Sequence, residues 1–107
     1  MTGGLLPHRP RPERVVGVDQ FVDDDAGYEA WLRKHPAGFV VNAWRVPDSS
    51  YLKLHRASCA TINGRPTNGE SWTTTTSKTC ATTIAVLDAW ARGVAGEVPD
   101  RCGSCQP

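Results

Sequence analysis

Two local pairs of soft donors are the part of this sequence best equipped for chemistry: His55-x₃-Cys59 in the middle and Cys102-x₂-Cys105 near the end. A thiolate and an imidazole nitrogen are the donors that tetrahedral zinc prefers, and four of them close its coordination sphere. Two thiolates separated by two residues can grip one ion only around a tight turn. Gly103 is expected to supply the backbone freedom for it. Each pair needs little loop closure within itself. Cys80 stands apart from both pairs, close to the start of a helix, where a lone cysteine commonly serves as a small buried hydrophobe. The expected ligands are therefore His55, Cys59, Cys102 and Cys105, with Cys80 as the alternative should His55 instead lie at the surface.

Such a set is structural rather than catalytic. Four protein ligands leave no open position for an activated water, and neither pair contains an acidic residue to act as base. Cys80 with His35 or His8 could form a nucleophile pair only in a context that the sequence does not provide. The chain is not expected to be an enzyme.

The elements that position the two pairs follow from local pattern. Asp23, Asp24 and Asp25 suit a helix start, and Tyr28, Trp31 and Leu32 form its core-facing stripe. Pro36 and Gly38 end that helix after a cationic last turn. Residues 39–46 are β-branched and aromatic, and residues 51–55 alternate, so together they read as a hairpin that delivers His55 and then Cys59. Residues 60–71 carry two Asn-Gly turns, and residues 72–76 read as a third strand. Residues 77–83 offer several N-caps. Ile84, Leu87, Trp90, Ala91 and Val94 mark an amphipathic helix, closed by Gly93 and Gly96. The expectation is a flexible arm over residues 1–18 and one α+β domain over residues 19–107: a small antiparallel sheet with two helices, stapled by one structural zinc.

Composition agrees with a staple. In 107 residues there are 2 Phe and 1 Met, a thin supply for a core. The segment 7–12 alternates proline with His8, Arg9 and Arg11, so no apolar leader follows Leu5-Leu6, and no stretch can span a membrane. A cytoplasmic chain keeps thiols reduced, which favours metal over disulfides. The formal net charge of +1 is unevenly spread. Between residues 40 and 80, Arg45, Lys53, Arg56, Arg65 and Lys78 face only Asp48 and Glu70, a local excess of +3, whereas residues 19–29 carry only acids. Segregated basic charge around a metal is the footprint of a nucleic-acid face.

Two resemblances bear on function. Leu54 to Cys59, then a helix, then Arg101 to Pro107, resembles the metal-binding domain of Ada, the bacterial methylphosphotriester-repair protein, whose first pair is C-x₃-C and whose second is a C-x₂-C knuckle ending in Cys-x-Pro. In that family the first ligand is the methyl-accepting thiolate. His55 stands there in this chain, so methyl transfer is not implied. The block 27–42, followed by Leu54 to Cys59, is similar to small actinobacterial proteins found beside HNH nucleases in modification-dependent restriction, some of which resemble non-catalytic 5-methylcytosine binders.

These resemblances imply a cytoplasmic, nucleoid-associated protein that binds Zn²⁺ and double-stranded, methylated DNA, and they leave a homodimer open. Arg45, Lys53, Arg56, Arg65 and Lys78 are the expected phosphate contacts, with Arg56 foremost because it lies between two ligands. Trp44, Tyr51 and Trp72 are the expected methyl or base contacts, and Trp31 and Trp90 the core. The rival expectation is a zinc-stabilised protein-interaction module, which the acidic run 19–29 favours.

Overall fold

The computed structural model describes residues 17–64, 66 and 71–107. The expected arm lies outside these residues apart from Gly17 and Val18, and so does Arg65. Val18 packs against the core rather than standing free.

Strand β1 (Asp19–Phe21) leads into helix α1 (Asp25–Lys34). The Asp24 carboxylate caps the helix by accepting from the Gly27 N–H at 2.9 Å, and Arg33 and Lys34 occupy its negative end. Tyr28, Trp31 and Leu32 are its buried stripe. Gly38 follows, where a Cβ would lie 2.6 Å from the Trp31 ring, so only glycine fits this approach of chain to helix. Strands β2 (Phe39–Trp44) and β3 (Leu52–Arg56) form the expected hairpin.

Strand β4 (Thr76–Ala81) begins where the expected third strand was to end. Trp72 and Thr73 are instead held in a bend by the Asp25 carboxylate, which accepts from both backbone N–H groups at 2.9 Å. The true strand was hidden by its composition. Ser77, Lys78 and Thr79 are polar yet buried. Helix α2 (Ile84–Ala95) starts at the Thr83 cap and runs through Gly93. It ends at Gly96, whose φ of +82° is the left-handed conformation that glycine adopts without penalty. Strand β5 (Asp100–Arg101) follows.

The sheet order is β1-β4-β2-β3-β5. All neighbours are antiparallel except β3 and β5, so the sheet is mixed rather than antiparallel as expected. The reason is connectivity: α2 crosses from β4 to the far edge, and the chain re-enters alongside β3. Period-two alternation divides the sheet into two faces. Val40 and Cys80, with Trp72, pack in one core cluster with Tyr28, Trp31 and Leu32 of α1. Val41, Ala43 and Leu54 pack in the other with Leu87, Trp90 and Ala91 of α2. Trp31 and Trp90 are core as expected. No helix among the described residues is long and apolar enough to cross a membrane.

Candidate metal centre

The parallel edge strand delivers the second ligand pair. Lys53 pairs with Asp100 and Leu54 with Arg101, and the Cys102 N–H then donates to the Leu54 carbonyl at 2.9 Å. That bond sets Cys102 beside His55, the next residue of β3. A tight turn after β3 brings in Cys59, whose N–H donates to the Arg56 carbonyl at 2.9 Å. The Ala57 N–H on Gly38 O and the Tyr28 hydroxyl on Ile62 O, at 2.9 and 2.6 Å, hold this turn against the α1 layer.

The outcome is one cluster. Ligand atoms of His55, Cys59, Cys102 and Cys105 all lie within 4.8 Å of one another. The Cys59 and Cys102 sulfurs are 4.0 Å apart, and all four cysteines are free thiols. A disulfide needs a separation of about 2.05 Å. Two sulfurs on one tetrahedral ion with bonds of about 2.3 Å sit about 3.8 Å apart, close to what is found.

Cys80 is not in the cluster. Val40 pairs with His55 on one side and with Cys80 on the other, so two strand spacings, about 10 Å, separate the backbones of His55 and Cys80. The Cys80 thiol lies fully buried in the α1-side core, and burial pushes its pKa well above the ordinary thiol range.

The donor chemistry fits a bound cation. His55 Nε2 is buried with no hydrogen-bond partner among the described residues, as a nitrogen kept for a metal would be. Burial, with the charges of Lys53 and Lys78, pulls the His55 pKa down to about 4, so the ring is neutral at pH 7 and its lone pair is free. The N–H groups of Cys105 and Ser104 draw the Cys102 thiol down to about 7 against the opposing effect of burial. Burial pushes Cys105 up to about 11, although the Arg56 N–H, 3.2 Å from its sulfur, works the other way. A coordinated cation would deprotonate both thiols outright.

Thr61 completes the surroundings, and nothing in its sequence context singles it out. Its hydroxyl oxygen is 3.3 Å from His55 Nδ1 and 3.0 Å from Cys59 Sγ. With Nε2 on a metal, the ring proton would sit on Nδ1 and would donate to Thr61, whose hydroxyl would donate onward to the Cys59 thiolate. Every group is then satisfied. Thr61→Val keeps the shape and removes this relay. Metal affinity, measured by competition with a chromogenic chelator, is expected to fall about 10–100-fold. Equal affinity would deny Thr61 that role.

The turn itself differs from expectation at Gly103, which does not take the left-handed conformation and where a Cβ would meet open space. The left-handed residue of the turn is Gln106, at φ 49°. Arg56 also serves the turn: its guanidinium donates to the carbonyls of Cys105 and Gln106, both at 3.0 Å, while the residue stays exposed.

The other expected nucleic-acid contacts fare unevenly. Lys53 is half-buried and Tyr51 likewise. Arg45 is exposed but ion-paired with Asp23. Lys78 was expected at the surface and is 1% exposed; its ammonium donates to Trp72 O at 2.5 Å and Thr76 Oγ1 at 2.8 Å, and burial lowers its pKa to about 8. Trp72, expected as a methyl or base contact, is 7% exposed because its indole belongs to the α1-side core. Trp44 is 43% exposed and packs on Tyr51 with ring centroids 5.3 Å apart. Asn42, unselected from sequence, donates to the Tyr51 hydroxyl at 2.9 Å. Its signal was present, since it is the single polar residue of the strand Phe39–Trp44.

Comparison with protein-family models, with curated proteins and with solved structures finds no match to this chain.

Proposed function

We propose that His55, Cys59, Cys102 and Cys105 hold one structural zinc ion, and that the protein is a non-catalytic DNA-binding domain that reads 5-methylcytosine. Three sulfurs and one imidazole select a soft or borderline cation over magnesium or calcium, and zinc is the commonest that takes four such ligands tetrahedrally. The closed donor set suits a staple: it joins the β3 end to the last turn of the chain.

The observation that carries the DNA reading is the surface continuous with that staple. Along the end of the β2–β3 hairpin run Lys53, Asn42, Tyr51 and the exposed Trp44, with Asn42 and Lys53 directly paired across the strands. Arg56 adds a cation anchored on the metal-binding turn. Lys53 near the Trp44–Tyr51 pair, of which Trp44 is exposed, joins phosphate attraction to an apolar surface for a methyl group, and Arg56 adds a second cation at the opposite end of the strand. Partner binding through the acidic run 19–29 is less favoured, because that run is largely engaged internally. Asp23 pairs with Arg45, Asp24 caps α1 and Asp25 holds residues 71–73.

Mobility shifts on methylated and unmethylated duplexes across a salt series test this. Binding is expected to weaken with salt, and Arg56→Ala to lower the salt slope by about 1. The methylated duplex should bind about fourfold tighter, the worth of one buried methyl at ~0.8 kcal/mol. No shift at low salt would overturn the DNA reading in favour of a protein-interaction module. Equal affinities would remove the methyl specificity.

A further inference from the structure

Between the bend of residues 71–75 and the sheet lies a recess of about 240 Å³, whose lining includes Asn42, Thr61, Trp72, Thr75, Thr76 and Lys78. Two of these residues have unmet demands. Asn42 has its amide nitrogen committed to the Tyr51 hydroxyl, and its Oδ1 is buried without a donor among the described residues. Lys78 is buried with no carboxylate within ion-pair distance among the described residues. Two of its three N–H groups go to Trp72 O and Thr76 Oγ1. The third has no nitrogen or oxygen acceptor among the described residues, and the ammonium lies over the Tyr28 and Trp72 rings, 5.9 and 5.8 Å from their centroids.

Asn42 and Lys78 are direct cross-strand partners on β2 and β4, so their Cβ atoms lie about 5 Å apart on one face. An acceptor in want of a donor therefore sits beside a donor in want of an acceptor. The Trp72 ring, 5.8 Å from the Lys78 ammonium, stands next to both.

We propose that this recess binds a single pyrimidine base extruded from the duplex, cytosine or 5-methylcytosine. The exocyclic amino group of cytosine would donate to Asn42 Oδ1. Its neighbouring ring nitrogen or carbonyl would accept from Lys78. A backbone phosphodiester offers acceptors only and would set an anion against Asn42 Oδ1, so it is the poorer ligand. This inference rests on the DNA reading for the source of the base, and on the recess alone for its chemistry.

The test uses the full zinc-loaded chain. A duplex carrying 2-aminopurine beside the methylated cytosine reports extrusion by a rise in fluorescence. In parallel, 5-methyl-2′-deoxycytidine is titrated against tryptophan fluorescence, with inorganic phosphate as competitor. Wild type is expected to raise the 2-aminopurine signal and to bind the nucleoside without displacement by phosphate. Asn42→Leu should abolish the rise and weaken nucleoside binding about tenfold, the effect of losing a hydrogen bond to a buried group. Lys78→Met, which replaces an unpaired buried cation by an apolar chain of similar length and so should fold, is expected to do the same. A duplex that binds with no change in 2-aminopurine fluorescence would overturn the recess and leave the DNA reading standing. Nucleoside binding that is sensitive to Asn42→Leu, without any duplex binding, would support the recess and overturn the DNA reading. Displacement of the nucleoside by phosphate would replace the base site with an anion site.

Discussion

Replacing Cys59 by serine is expected to release the metal and take with it most of the stability of the domain. Cys59 is buried between the β3 turn and the C-terminal turn, with its sulfur 4.0 Å from that of Cys102. A structural zinc in a small domain contributes about 10–16 kcal/mol of apparent binding free energy. The whole stability of a domain this size is about 5–15 kcal/mol, so the metal-free chain should be unfolded or only partly folded at 25 °C. Circular dichroism against temperature checks this, and a variant that melts with wild type would refute it. Cys80→Ala is the matched control, because it removes an equally buried thiol outside the cluster. It should keep its metal and lose about 1 kcal/mol, which lowers the midpoint by about 4–8 °C.

Acid should act in the same direction as Cys59→Ser. Without the metal, burial depresses the pKa of His55 in the folded chain to about 4 from an ordinary 6.5, and a bound cation would compete with the proton for the same ring. Between those values the unfolded chain binds a proton that the folded chain refuses, so stability is fully present above about pH 6.5 and is lost as pH falls towards 4. Proton competition for the thiolates reinforces that slope.

The second large effect is expected at Asp25. Its Oδ1 accepts from Ser71 Oγ at 2.8 Å, Thr73 N at 2.9 Å and Thr73 Oγ1 at 2.5 Å, while Oδ2 accepts from Trp72 N at 2.9 Å. Backbone bonds from Asp23 and Asp24 to Thr73 tighten the same junction. Burial would raise the Asp25 pKa, but these hydrogen bonds together hold it below the ordinary carboxylate value. Its share of stability is present above about pH 4 and lost as pH falls through that depressed pKa. Asp25→Ala leaves the buried Thr73 hydroxyl and the Trp72 N–H without their acceptor and the Thr73 N–H with Ser71 Oγ alone, at about 2–3 kcal/mol. Urea unfolding should show a midpoint lowered accordingly, with metal content unchanged. An unaltered midpoint would mean that the carboxylate is dispensable to the bend.

Much of the candidate centre was legible in the sequence because its ligands come in local pairs. Spacing alone brings His55 to Cys59 and Cys102 to Cys105. The hairpin, whose two strands alternate plainly, shows which end carries the first pair. The choice between His55 and Cys80 was decided only by sheet register, with Val40 between them. What stayed hidden depends on long-range hydrogen bonds. Ser77 and Lys78 of β4 are buried by bonding to Trp44 O, Trp72 O and Thr76, so that strand carries no apolar pattern. The three residues of β1 show no strand pattern either, and their pairing is with β4, far along the chain. Charge counting misled for the same reason. It could not see that Arg45 meets Asp23 or that Lys78 lies beneath Trp72.

The most direct test is metal content by native mass spectrometry on the folded wild-type chain beside Cys59→Ser and Cys80→Ala. About one zinc per chain is expected for wild type and for Cys80→Ala, and none for Cys59→Ser. A wild-type chain that is folded and free of metal, or a Cys59→Ser chain that holds zinc as wild type does, would contradict the assignment.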